Sequence, residues 1–253
     1  MMDDARSDDV AGQLLHVLSR VHAHHEERLR DAELGKALAN LAMWQVRLLR
    51  NTYADLQAIP RYAAAMQFFE SDLYGGGDFA QRDADLARVV PGMKRLLPDH
   101  ALRTVAEAVE VNALAQDFDR AMIEHLPRRE PRFTVAAYCA AYRAVGLFDE
   151  RRRQILLVSH VGAALDRLVR KPMIRSALKL MRKPARVAGL AALQDFLERG
   201  FGAFANMGGA EEFLATLEAR ELAILQSISE GSDAPFPDPM PRPVDAAREV
   251  RAP

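Results

Sequence analysis

The chain has 253 residues, of which 49% are hydrophobic, 27% charged and 7% aromatic. That length supports a sizeable core in one large domain or two small ones, and a composition dominated by alanine and leucine favours helix over sheet. A formal net charge of −1 leaves no global field to steer the molecule toward nucleic acid or membrane. The one cysteine, Cys139, excludes an intramolecular disulfide and reads as a small core residue in a reducing compartment.

Residues 1–9 are acidic, carry no apolar signal core, and are expected to be disordered. A helix is predicted from about Val10 to Asp31, where Leu14, Leu18, Val21, His25 and Leu29 keep helical spacing. The same segment holds His16, His22, His24, His25, Glu26 and Glu27. His22, His25 and Glu26 share a face, as metal ligands would. No second cluster of this kind exists, however, and the Glu-x-x-His signature of helical di-iron proteins does not occur. The reading is therefore histidines on a terminal helix, with no metal. A second helix from about Ala32 to Ala58 carries two apolar stripes, Leu34, Leu38, Leu41 and Leu48 beside Val46, Leu49, Tyr53 and Leu56, so it contacts partners on two sides.

Residues 60–98 are the stretch around which the rest is organised. Pro60 suits the first helical turn. Tyr62, Met66, Phe69 and Leu73 then form one stripe, and Phe68 with Ala64 and Ala65 makes the adjoining face apolar. Gly75, Gly76 and Gly77 end the helix, and Asp78 with Gln81 has capping-box spacing. Phe79, Leu86, Val89, Met93 and Leu96 form the next stripe. Arg82 falls on that stripe and needs a carboxylate partner if buried, with Asp55, Asp72 and Asp83 as candidates.

The run FFESDLYGGGDFAQRDADLARVVPGMKRLLP resembles the signature of the bacterial FFLEELY-motif proteins, with Phe68, Phe69, Glu70, Ser71, Asp72, Leu73 and Tyr74 in the name-giving positions and Glu70 standing where the name has Leu. RNTYADLQAIPRY before it and FGAFANMGGAEEFLATLEARE near the end are also similar, so the likeness covers roughly residues 44–229. The resemblance implies a helical fold and no particular reaction.

Beyond Pro98, Asp99 is the predicted N-cap of a long helix to about Leu126. Its stripe begins with Leu102, Val105 and Val109 and then meets Asn112, Gln116 and Asp119. Rotation of the face toward Val111, Phe118 and Met122 is favoured over three inward polar groups, because it leaves nothing unsatisfied. Pro127 and Pro131 punctuate a loop. A short helix with Val135, Tyr138, Tyr142 and Val145 stops at Gly146, and another runs from about Asp149 to Arg170. Pro172 and Pro184 are expected to open two short helices. Gly200 and Gly202 are expected to break the following one, and Gly208 and Gly209 precede a last helix through Phe213, Leu217, Leu222, Leu225 and Ile228. From Gly231 on, the proline-rich tail is expected to be disordered and to belong to no core.

The expected architecture is all-α: a single multi-helix domain over residues 10–230, with about eight to ten helices, and a Pro-rich disordered tail over residues 231–253. Phosphate-binding glycine loops, the G-x-S-x-G elbow, H-E-x-x-H and zinc spacings are all absent, so no catalytic residue, cofactor or metal is assigned. Two functional readings follow. Residues 151–186 hold 11 Lys/Arg and one acid, Asp166, and suggest a cytoplasmic interaction or regulatory module. Its basic surface would use Arg167, Arg170, Lys171, Arg175, Lys179, Arg182, Lys183 and Arg186 toward an anionic partner. The other reading is a small-molecule-binding bundle with a polar centre at Arg61, Tyr62, Asp72, Tyr74, Arg82 and Asp83. Whichever holds, Phe69 belongs to the core: Phe69→Ala is expected to cost about 3–5 kcal/mol in urea denaturation, and a loss below about 1 kcal/mol would make its helix peripheral.

Overall fold

The computed structural model describes residues 2–74, 80–96, 99–126 and 133–236. The described residues form eleven α-helices and one π-helical turn, with no strand. In chain order they are α1 (Met2–Arg30), α2 (Ala32–Thr52), α3 (Ala54–Gln57), α4 (Pro60–Phe68), the π turn (Phe69–Leu73), α5 (Ala80–Leu96), α6 (Asp99–Ile123), α7 (Val135–Val145), α8 (Phe148–Val169), α9 (Pro172–Val187), α10 (Ala191–Met207) and α11 (Glu211–Ser229). Gly75, Gly76, Gly77, Asp78, Phe79, the Pro127–Pro131 loop and residues 237–253 lie outside the described set.

Three large apolar clusters, and a small one of Cys139, Ile224 and Ile228, hold the helices together. Val10, Leu14, Leu18 and Val21 of α1 pack against Val90 of α5 and Leu102 and Val109 of α6. Leu34, Leu41, Trp44 and Leu48 of α2 meet Met122 and Ile123 of α6 and Tyr138 of α7. The largest cluster centres on α4, whose Tyr62, Ala65, Met66 and Phe68 join Phe69 of the π turn. Around them lie Val169 of α8, Phe204 and Met207 of α10, and Phe213, Leu214 and Leu217 of α11. Burial of this apolar surface is the dominant favourable term in folding.

Several elements depart from the sequence expectation for identifiable reasons. Helix α1 starts at Met2 rather than near Val10, and Leu29 near its end is solvent-exposed. The second helix breaks at Tyr53, whose side chain is buried; the break raises the helix count to eleven. The α4 stripe does not reach Leu73. At the π turn the Tyr74 N–H bonds the Phe69 carbonyl, five residues back. The wider turn rotates the following side chains, so Glu70 and Asp72 are buried while Leu73 is 45% exposed.

In α5 the most buried residues are Asp85 and Val90; Leu86 and Met93 of the predicted stripe pack against the same cluster, and Val90 rather than Val89 is the valine most deeply buried. Helix α6 begins with Asp99 inside it. Its buried face rotates through Ala113, Leu114, Phe118 and Met122, and Gln116 and Asp119 find polar partners on α1 and α2. Pro184 sits inside α9 and does not start a new helix; Leu180, whose carbonyl it leaves unbonded, is solvent-exposed, where water satisfies such a group.

Gly200 and Gly202 lie within α10 and do not break it. The absent side chain of Gly200 admits a neighbour: a Cβ there would stand 3.0 Å from the Phe68 ring tip, and Phe68 also packs on Phe196 at 5.4 Å between ring centroids. The segment after α11 also joins the core, since Phe236 packs against Tyr138, and Arg143 Nη2 donates to Asp233 at 2.7 Å.

The two α10 glycines therefore separate packing from helix propensity. Gly202→Ala, with open space around its Cβ, should stabilise the protein by up to about 1 kcal/mol. Gly200→Ala should destabilise it by about 1–3 kcal/mol through overpacking. Chemical denaturation of both variants checks this, and equal shifts would contradict the close Phe68 contact.

Candidate functional site

The six residues expected to form a polar centre fall in three places. Arg61 Nη2 donates to the Tyr62 hydroxyl at 2.7 Å, and both donate to Glu212 Oε2, at 3.1 and 2.9 Å; this trio ties α4 to α11 near the surface. The Asp72 carboxylate accepts from Arg199 Nε and Nη2 at 3.0 and 2.5 Å. Arg82 lies beside it, pairing with Asp83 at 2.9 Å, donating to the Asp72 carbonyl at 3.3 Å and covering the Phe196 ring. Of the candidate partners for Arg82, Asp83 is the one that binds it through its carboxylate, whereas Asp55 pairs with Arg220.

Tyr74 lies apart from both groups, at the end of the π turn. It keeps 40% of its surface accessible, yet desolvation pushes its phenol well above the usual tyrosine range, and Glu221, Asp119 and Tyr142 add to the effect. Asp119, Tyr142 and Glu221 combine the same two properties. Each is partly accessible, and burial drives each toward its neutral form. Together these partly accessible groups make up a polar junction between the helices, the recess.

Helices distant in sequence converge on that recess. The Tyr53 hydroxyl, beyond α2, donates to Glu221 Oε1 of α11. Gln45 of α2 donates to Asp119 Oδ1 of α6 at 2.8 Å. Tyr138 and Tyr142 enter from α7, and burial raises the Tyr138 phenol as well. Arg151, in the first turns of α8, lies 3.6 Å above the Tyr142 ring and 4.5 Å from that of Phe118. The recess thus combines phenol hydroxyls, two carboxyls held toward neutrality and the guanidinium groups of Arg151 and Arg220. Among the described residues no group of three or more His, Cys, Asp or Glu side chains is arranged for a metal ion; His24 stands 2.6 Å from Asp117.

The eight residues of the expected basic surface do lie together, at the end of α8 and along α9. Two of them are neutralised: Arg170 by Asp166, and Arg182 by Glu198, whose carboxyl Arg182 pulls down to about 2. Arg167, Lys171, Arg175, Lys179, Lys183 and Arg186 make no ion pair with a described residue. Arg151, counted with this region in sequence, is interior instead.

Residues 24–235 match the model of a family described as a domain of unknown function, DUF8198. The chain belongs to that family. No curated protein and no solved structure matches it. The DUF8198 match spans α2 to α11 and therefore contains both the recess and α9.

Of the recess residues, Tyr74 was visible in the sequence as part of the motif. Tyr53 and Tyr142 read as core positions, and Asp119 as a polar interruption of the α6 stripe that rotation would place outside. Arg151 read as part of the basic region 151–186, and Glu221 gave no signal at all. The nearest available one was that interruption at Asn112, Gln116 and Asp119.

The buried acid makes stability depend on pH. The folded-state pKa of Glu221 is raised, first by burial, so the folded protein binds a proton more tightly than the unfolded chain. Its contribution is present at low pH and lost as pH rises from the ordinary carboxylate range toward the raised value. Glu221→Gln, which still accepts from Tyr53, should flatten this decline in unfolding free energy as pH rises above the ordinary carboxylate range. Parallel curves for the two proteins would contradict the assignment.

Proposed function

We propose that this chain is a non-catalytic interaction module that docks on an anionic membrane surface through α9. One observation carries the reading. Met173, Leu180 and Val187 recur every seventh residue along α9, and they are 79%, 77% and 91% exposed. At about 100° per residue, they share a strip with Ala177, Pro184 and Met181. Ile174, Leu178 and Ala185 lie on the adjoining arc; of these Ala185 is buried and the other two are partly covered. Only half of the apolar face of this helix is thus used inside the protein. Arg175, Lys179, Lys183 and Arg186 fill the remaining arc.

A helix with a free apolar strip beside a cationic one suits the boundary between acyl chains and anionic headgroups. Each basic residue near such a surface contributes about 1 kcal/mol. Pairing of two α9 helices would set their like charges against each other, which disfavours a second copy as the occupant. Spanning is a separate matter: no helix of the described residues is long and apolar enough to cross a membrane. In this reading the protein is bacterial and cytoplasmic, Phe68–Tyr74 is its form of the FFLEELY motif, and α9 meets the inner face of the cell membrane. The motif likeness and the lone cysteine support that placement.

Co-sedimentation with vesicles of phosphatidylcholine, with and without phosphatidylglycerol, tests it. Binding is expected to the anionic vesicles alone and to weaken with salt. Leu180→Glu, at an exposed position that leaves the fold intact, should reduce binding by about tenfold or more. Absence of binding at low salt, or full binding by Leu180→Glu, would overturn the proposal.

A further inference from the structure

A cleft of about 420 Å³ opens where α8 ends, α9 begins and α10 gives way to α11. Its floor is apolar, with Val169 and Phe204 buried and Pro172 adding to the lining. Its rim is cationic and open to solvent: Arg170, Arg175 and Ser176 line it and are exposed. The buried carboxylate of Asp166 also borders the cleft and holds the Arg170 guanidinium in an ion pair. Gly209 brings the chain close to the same group: a Cβ there would stand 3.5 Å from Arg170 Nη2, at a φ of +139° that side chains rarely adopt. Arg170 is therefore held in place before any ligand arrives, which lowers the cost of binding one. Asp166 offsets its charge, whereas Arg175 makes no ion pair with a described residue. The cleft thus carries one uncompensated positive charge above an apolar floor.

We propose that this cleft binds a phosphodiester, whose phosphate oxygens meet Arg175, Ser176 and the free donors of Arg170 and whose ester-linked carbons cover Val169, Pro172 and Phe204. Guanidinium forks match phosphate oxygens in pairs. A diester is a monoanion and so matches the single uncompensated charge, where a dianion would bring one charge more. Its carbon flanks also use the floor, which a bare inorganic ion would leave uncovered. Pro172, Arg175 and Ser176 belong to the start of α9, so a phospholipid headgroup is one source of the ligand and a soluble phosphodiester the other. The site lies beside the exposed apolar strip of α9 and does not rest on membrane docking.

Phosphorus NMR of glycerophosphoglycerol, the deacylated headgroup of phosphatidylglycerol, titrated with the full chain should show a saturable shift, with a Kd of about 1 mM or tighter. Arg175→Gln, at an exposed position, should weaken this binding about tenfold. Lys179→Gln removes the same charge one turn further along α9, outside the cleft, and should leave it unchanged. No saturable shift, unaltered affinity in Arg175→Gln, an equal loss in Lys179→Gln, or tighter binding of the dianionic monoester glycerol phosphate would each overturn the proposal. Phosphatidylglycerol vesicles then distinguish the sources. A larger loss of vesicle binding in Arg175→Gln than in Lys179→Gln makes the ligand a lipid headgroup, and equal losses with headgroup binding retained make it a soluble diester. Vesicle binding without headgroup binding would leave α9 docking in place and remove the cleft, and headgroup binding without vesicle binding would do the reverse.

Discussion

The fold depends on the π turn at Phe69–Leu73. An α-helix continued through this segment would keep Leu73 on the stripe of Tyr62, Met66 and Phe69 and place the acids on other faces. The five-residue hydrogen bond from Tyr74 to Phe69 inserts one extra residue into the turn. Phe68 and Phe69 thereby stay in the main cluster, where Phe69 meets the Phe213 ring at 6.0 Å. Glu70 turns inward to Arg50, and Asp72 to Arg199. Each acid is paired with an arginine whose other side faces water, a cheaper arrangement than burying both partners. Tyr74 is delivered to the recess by the same rotation. A single irregular turn thus sets the packing of α4 on α10 and one wall of the candidate site.

What the sequence made legible follows from how far a local pattern reaches. The all-α architecture, the α1 stripe through Leu14, Leu18 and Val21, and the centrality of α4 were all readable, because burial of one face imposes a 3.6-residue period. Leu73 was misread because that period assumes α geometry, and nothing local distinguishes a π turn. Gly200 and Gly202 were misread because a glycine can also sit inside a continuous helix: at Gly200 the distant Phe68 ring takes the place of a side chain, and Gly202 faces open space. Pro184 was taken as a helix start when the solvent around Leu180 makes an interior proline tolerable. The recess was hidden for a different reason: Tyr53, Tyr74, Asp119, Tyr142, Arg151 and Glu221 come from separate elements, and no spacing joins them. Arg151 was even counted with the surface cations, as its sequence neighbours Arg152 and Arg153 invited.

Close approach without a side chain recurs on the other flank of the core. A Cβ at Gly162 of α8 would stand 2.5 Å from the Leu214 side chain of α11, so that glycine too admits a neighbour into the helix interface. Helix α10 is therefore seated on α4 through Gly200 facing Phe68, and α11 on α8 through Leu214 facing Gly162. These contacts close the main cluster on two sides, while α9, packed on α10, leaves half of its apolar face unused.

The contact of Phe236 with Tyr138 redraws the edge of the folding unit. The last helix ends at Ser229, but the chain returns through Asp233 to lay an aromatic ring beside a tyrosine that walls the recess. A protease that cut just beyond α11 would leave every helix in place and still strip a cover from that wall. The family match runs to residue 235 and so takes in Asp233 and its bond to Arg143, which puts the family's boundary beyond the last helix.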